Sequence, residues 1–204
     1  MSMSLQEKWE RLLTTDRLSV DKEGNYCSFS EGGDPARTAF ARDSDRILFS
    51  NGFRRLSKKT QVHPLATDDP VHSRLKHSRE VSSVGRSLGS KVGMYLEENG
   101  VWREGIRAHH IGEIGHAACL AHDIGNPPFG HAGESALQSW FQDSLHSRYV
   151  EPLSRTQKSD FNNFDGNAQS FRVVTVLEYN NGRGGMRLTY PTLAAMVKYP
   201  VSSH

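Results

Sequence analysis

Two apolar stripes at helical spacing, joined by a short connection, constrain this chain more than any other feature. In the segment 71–98, Val81, Val84, Leu88, Val92 and Tyr95 are spaced 3, 4, 4 and 3 positions apart. In the segment 104–124, Ile111, Ile114 and Ala118 keep the same step. That spacing puts side chains on one face of an α-helix, here the face expected to meet the core. Extended backwards, the first stripe reaches His77 and then Arg74; extended forwards, the second reaches His122. The turn region at 97–101 is short, and short connections make antiparallel neighbours. The start of one helix then lies beside the end of the other. His77 and His122 are therefore predicted to meet, although 45 positions separate them.

At 204 residues the chain is long enough for one substantial core. No apolar run approaches the roughly 18 residues that cross a membrane. The N-terminus, MSMSLQEKWERLL, has neither a basic leader nor an apolar export segment. Cys27 and Cys119 lie far apart without metal-type spacing, as expected of reduced thiols in a cytoplasmic protein. The net charge is only +2, but between Arg37 and Gln61 seven basic residues face two acidic ones. Two readings of that patch stay open: a cradle for nucleotide phosphates or a nucleic-acid backbone, and a solvated helix face laced with ion pairs.

The rest of the chain also reads as helical. Ser4 and Glu7 form a capping box that opens a helix to about Leu13. Residues 21–36, rich in glycine and small polar residues, are expected to be loop. A helix over 43–59 would put Phe49, Phe53 and Leu56 on one face. His63-Pro64 and the polar stretch to Pro70 would end it. A helix is predicted over 132–141, a loop or insertion over 142–166, and a helix over 167–179, although its β-branched residues also suit a strand. Asn180 to Gly185 reads as a turn, and Pro191 near a first turn opens a last helix over 192–198.

The chemistry concentrates at His122-Asp123. Imidazole nitrogen and carboxylate oxygen together suit a divalent metal and metal-assisted hydrolysis. With His77 brought to them by the helix pairing, His77, His122 and Asp123 are predicted to bind one ion. His131 and Glu134, one turn apart beyond Pro127-Pro128, share a face. They suit general acid and base roles, set against the alternative of a charge pair at a helix start. Arg74 lies one turn before His77, where its fork of donors suits a phosphate. The remaining histidines, including His109, His110 and His116, are expected at the surface.

These motifs, HSRLKHSREV and AHDIGNPPFGHAGE, together with RTAFARDSDRILFSNGFRRLSKKTQVHPL at 37–65 and FDGNAQSFRVV at 164–174, resemble the HD-domain superfamily of metal-dependent phosphohydrolases. Within it the chain most resembles the deoxyguanosinetriphosphate triphosphohydrolase family. The resemblance implies an all-α helical bundle over 37–204, preceded by an N-terminal helix and loop over 1–36. It implies hydrolysis of deoxynucleoside triphosphates, dGTP preferred, to the deoxynucleoside and tripolyphosphate with a divalent metal such as Mg or Mn. It also implies His77, His122 and Asp123 as ligands, His131 and Glu134 in acid/base roles, and Arg74 on the α-phosphate. Gln61 would lie near the sugar, and Asn167, Lys198 and Tyr199 would reach the triphosphate. Single-stranded nucleic acid is a further partner to consider, and family members are often homo-oligomers. The family is commonly about twice as long, and its fourth metal ligand, an aspartate on a later helix, has no counterpart here. The chain therefore reads as an N-terminal piece. Two other readings stay open: another HD-type nucleotide phosphohydrolase, and a nucleic-acid-binding or regulatory module with a residual metal site.

Overall fold

The computed structural model describes residues 3–34, 36–61, 72–101, 106–179 and 185–203. The loop expected at His63-Pro64 and most of the Asn180–Gly185 turn lie outside these residues, as do the expected starts of the two long helices. Helix α1 (Leu5–Leu12) opens with the capping box of Ser4 and Glu7. A two-stranded antiparallel hairpin follows, β1 (Arg17–Val20) and β2 (Tyr26–Phe29), where the sequence predicted loop from residue 21. The chain then runs through α2 (Ala39–Leu48), α3 (Asn51–Arg55), a short 3₁₀ turn (Leu56–Lys58), α4 (Arg74–Glu98) and α5 (Ala108–Ala121). After these come α6 (His131–Gln142), α7 (Ser147–Val150), α8 (Arg155–Asn162), α9 (Gly166–Arg172) and α10 (Tyr190–Met196). The fold is all-α apart from the hairpin. No described helix is long and apolar enough to cross a membrane.

Helix α5 lies at the centre, packed against α4, α2 and α10. Ala117, Leu120 and Ala121 of α5 join Ile47, Phe53, Leu56, Ile124, Val174, Met186, Leu188 and Leu193 in the main core. A smaller cluster gathers Leu13, Phe40, Ile106 and Ile114.

Several sequence expectations are corrected. The helix expected over 43–59 breaks at Phe49-Ser50, where the Ser50 hydroxyl accepts the Phe53 backbone N–H and starts α3 afresh. That break changes the helical phase, so Phe53 and Leu56 are buried while Phe49 is 64% exposed. The segment 142–166 holds α7 and α8, each too short to show apolar periodicity. The last turn of the 167–179 segment widens into a π-helix over Val173–Leu177.

The face of α4 that meets α5 is also not the apolar stripe. Ser78, Ser82, Gly93 and Leu96 are buried on that contact, whereas Val84, Leu88, Val92 and Tyr95 are exposed. A Cβ placed on Gly89 would lie 2.6 Å from the Ile111 carbonyl oxygen, and one on Gly93 would lie 2.3 Å from that of Ala108. At these two positions the backbones approach so closely that only glycine fits between them. At 100° per residue, the bulky stripe is turned roughly a quarter circle to one side.

Candidate metal centre

The helix pairing brings His77, in the first turns of α4, to His122, the residue that ends α5. Their ring centroids are 5.3 Å apart. Asp123 follows in the turn that leaves α5, and its side chain is almost wholly buried. Ligand atoms of His77, His122 and Asp123 all lie within 4.8 Å of one another.

The neighbours of this trio set its chemistry. The His122 Nδ1–H donates to the Cys119 carbonyl at 2.7 Å, which fixes the tautomer and leaves Nε2 as the lone-pair nitrogen. Burial, and then the charge of His122, depress the proton affinity of His77 and favour its neutral, ligating form. Asp123 uses Oδ2 to accept Arg74 Nη1 at 2.7 Å. Its Oδ1 accepts the Asn126 side-chain amide and lies 3.4 Å from His122 Nε2. Two imidazoles and a carboxylate at this spacing fit a divalent cation.

Arg74 is buried at the start of α4. Its guanidinium rests against Gly130, where a Cβ would come 2.7 Å from Nη2. Gly130 has φ +55°, and the preceding Phe129, an exposed aromatic, has φ +66°. This unusual turn delivers the chain into α6. There the His131 ring is fully exposed, and its Nδ1–H donates to Glu134 Oε2 at 2.7 Å. Glu134 Oε1 accepts the Gly166 backbone N–H at 2.8 Å, which ties α6 to the start of α9. An ionised carboxylate only accepts, so the His131 Nε2 is the nitrogen left for proton transfer.

Gln61, Arg74, His77, Asp123, Asn126, Gly130, His131 and Glu134 line one cavity of about 320 Å³. Asn167, Lys198 and Tyr199 line a second cavity, of about 570 Å³, with Phe171 and Met196 among its apolar walls. The two cavities share no lining residue; Glu134 of the first bonds the Gly166 backbone N–H, between Asp165 and Asn167 of the second. The Lys198 ammonium lies 5.1 Å over the ring of Tyr199.

Other expectations fare differently. His110, expected at the surface, is buried against Phe40, and the His116 ring bonds the Ser82 carbonyl across the α4–α5 contact. In the basic segment, Arg37 pairs with Asp45, while Arg42 and Arg46 pair with Glu31. Arg54, Arg55 and Lys58 stay exposed. Sequence reasoning missed two residues of the site. Asn126 orients Asp123, and Lys59 donates from its ammonium to the Asn126 carbonyl at 2.7 Å. Only the contact itself sets Lys59 apart from the other six cations of its segment.

A family description, HD domain, matches residues 74–186. The chain is 49% identical over 195 residues to a deoxyguanosinetriphosphate triphosphohydrolase-like protein of Pseudomonas aeruginosa, covering 96% of this chain and 42% of that protein. Proteins of the same description from Synechocystis and Listeria monocytogenes are 46% and 42% identical, each covering 96% of this chain and 43% of their own length. The chain thus spans less than half the length of these relatives.

Proposed function

The chain belongs to the HD-domain family, and from that premise we propose that it hydrolyses deoxynucleoside triphosphates, dGTP in preference, to the deoxynucleoside and tripolyphosphate. The observation that carries this reading is the meeting, at one small cavity, of the His77–His122–Asp123 cluster, the His131–Glu134 pair and Arg74. The descriptions of the similar proteins support the substrate class.

His77, His122 and Asp123 would hold a divalent ion such as Mg or Mn. When bound, the ion supplies Lewis-acid polarisation of a phosphoryl oxygen. Arg74 keeps donors beyond the one bonded to Asp123, and these suit an oxygen of the α-phosphate. A water oxygen bonds the α-phosphorus, the bond from that phosphorus to the sugar O5′ breaks, and O5′ leaves as the alcohol. The His131–Glu134 pair supplies the proton that O5′ takes up and accepts the one that water releases. Gln61, on the same cavity, is assigned to the sugar, and Asn167, Lys198 and Tyr199 in the second cavity to the rest of the triphosphate. The reading places this chemistry in the cytoplasm, where the free cysteines Cys27 and Cys119 would stay reduced.

Product identity tests the reaction. With dGTP and Mn²⁺, ion-exchange chromatography is expected to show deoxyguanosine and tripolyphosphate in equal amounts. Orthophosphate or pyrophosphate as the released product would overturn the assignment.

A further inference from the structure

We propose that Lys59 is a positioning residue for the metal-ligand turn, acting through Asn126 on Asp123. This inference rests on the metal reading above and extends it to a residue outside the ligand set.

Lys59 is bonded at both ends. It leaves the 3₁₀ turn in extended conformation, and its carbonyl accepts the Arg74 backbone N–H at 2.9 Å, beside the Thr60–Ser73 bridge. Its main chain therefore anchors the first turn of α4, which carries Arg74 and His77. Its ammonium reaches the other half of the site and donates to the Asn126 carbonyl at 2.7 Å. Asn126 is fixed to Asp123 twice more: its backbone N–H bonds the Asp123 carbonyl at 3.1 Å, and its side-chain amide bonds Asp123 Oδ1. Arg74 Nη1 on Asp123 Oδ2 completes a closed circuit of hydrogen bonds, from Lys59 through Arg74, Asp123 and Asn126 back to Lys59.

The circuit decides which carboxylate lone pairs stay free. With Oδ2 held by Arg74 and Oδ1 by Asn126, the Asp123 carboxylate is locked in one orientation relative to His122. Within the circuit, Lys59 spans the two chain segments, residues 56–61 and 123–126, by a direct side-chain bond. Its ammonium is half-buried, and burial, followed by the charge of Arg74, lowers its proton affinity. Among the described residues no carboxylate forms an ion pair with it. Groups that hold a ligand's carboxylate in place are worth about 10–100-fold in metal affinity.

The test is calorimetric titration of Mn²⁺ into the metal-free chain and into Lys59→Met, Lys59→Arg, Asn126→Ala and the Lys59→Met/Asn126→Ala double variant, with Lys58→Met as control. Melting curves check that each variant folds, and Lys59→Gln replaces Lys59→Met if the latter does not. Lys59→Met is expected to weaken Mn²⁺ binding about tenfold or more, and Lys59→Arg to restore most of the loss. Lys58→Met is expected to match the parent. Lys59 bonds the Asn126 backbone carbonyl, which Asn126→Ala keeps, and so holds in place the side-chain amide that orients Asp123; the double variant should therefore lose less than the sum of the two single losses. Unchanged affinity in Lys59→Met, or losses that simply add, would overturn the positioning role while leaving the metal site standing. A parent chain that binds no Mn²⁺ would overturn the metal reading and this inference together.

Discussion

His110 packs its ring on Phe40, with centroids 5.6 Å apart, and its Nδ1 accepts the Arg107 backbone N–H at 3.1 Å. Only the neutral imidazole offers that lone pair. Burial, and then the charge of His109, lower its proton affinity below the ordinary value of 6.5. The unfolded chain therefore binds the proton at a higher pH than the folded one. Stability from this residue is full above about 6.5 and falls as pH drops toward the folded value. We expect the melting temperature to decline between pH 7.5 and 5.5, and His110→Gln to decline less steeply over the same range. Equal slopes would show that His110 does not carry the effect. The same scale shows what the sequence left hidden at the site. Arg74, His77, Asp123, His131 and Glu134 were legible because a helical step or a short spacing linked each to a neighbour. Lys59 was not, because its role rests on one hydrogen bond to a residue 67 positions away.

The α4–α5 pair is the element on which the site depends, and its close approach rests on glycines. A side chain at Gly93 would meet the Ala108 carbonyl oxygen and Cα, at 2.3 and 2.7 Å from its Cβ. Those atoms are backbone and can yield only if the helices separate. Gly93→Val is expected to cost about 1–3 kcal/mol, the range for overpacking a tight contact. Leu88→Ser, on the exposed stripe, should change stability by no more than about 0.5 kcal/mol. Denaturant titration of both variants checks the ranking, and a larger loss at Leu88 would restore the apolar stripe as the packed face. The antiparallel pairing was legible from the short turn between the helices. The packed face was not, because apolar spacing reports where bulk lies and close backbone contact selects for its absence. His77 and His122 meet all the same, since position along an antiparallel pair brings them level.

Across the whole molecule, a buried cation reinforces the join between the N-terminal hairpin and the helices, beside the backbone bonds from Leu18 to Leu188 and from Tyr190 to Asp16. Arg17 is fully buried, pairs with Asp43 and Glu31, and donates to the carbonyls of Ala39 and Arg187. Asp43 in turn accepts the backbone N–H and the hydroxyl of Thr189, at the start of α10. A single centre thus ties β1, α2 and the C-terminal segment together. Asp43→Ala leaves a buried guanidinium short of its closest partner and is expected to cost about 3–5 kcal/mol. Arg17→Met combined with Asp43→Leu should recover part of that loss, since well-packed apolar residues can replace a buried pair. A double variant less stable than Asp43→Ala alone would refute this account. By itself the sequence determined the helical class, which follows from periodicity, and the order of the long helices and the meeting of His77, His122 and Asp123, which follow from chain connectivity and position along the antiparallel pair. Only the tertiary structure decided that Asn167, Lys198 and Tyr199 line a cavity apart from the metal cluster, that α4 packs through its small residues, and that Lys59 and Arg17 join distant segments. Those outcomes depend on contacts between segments far apart in the chain, and local spacing carries no record of them.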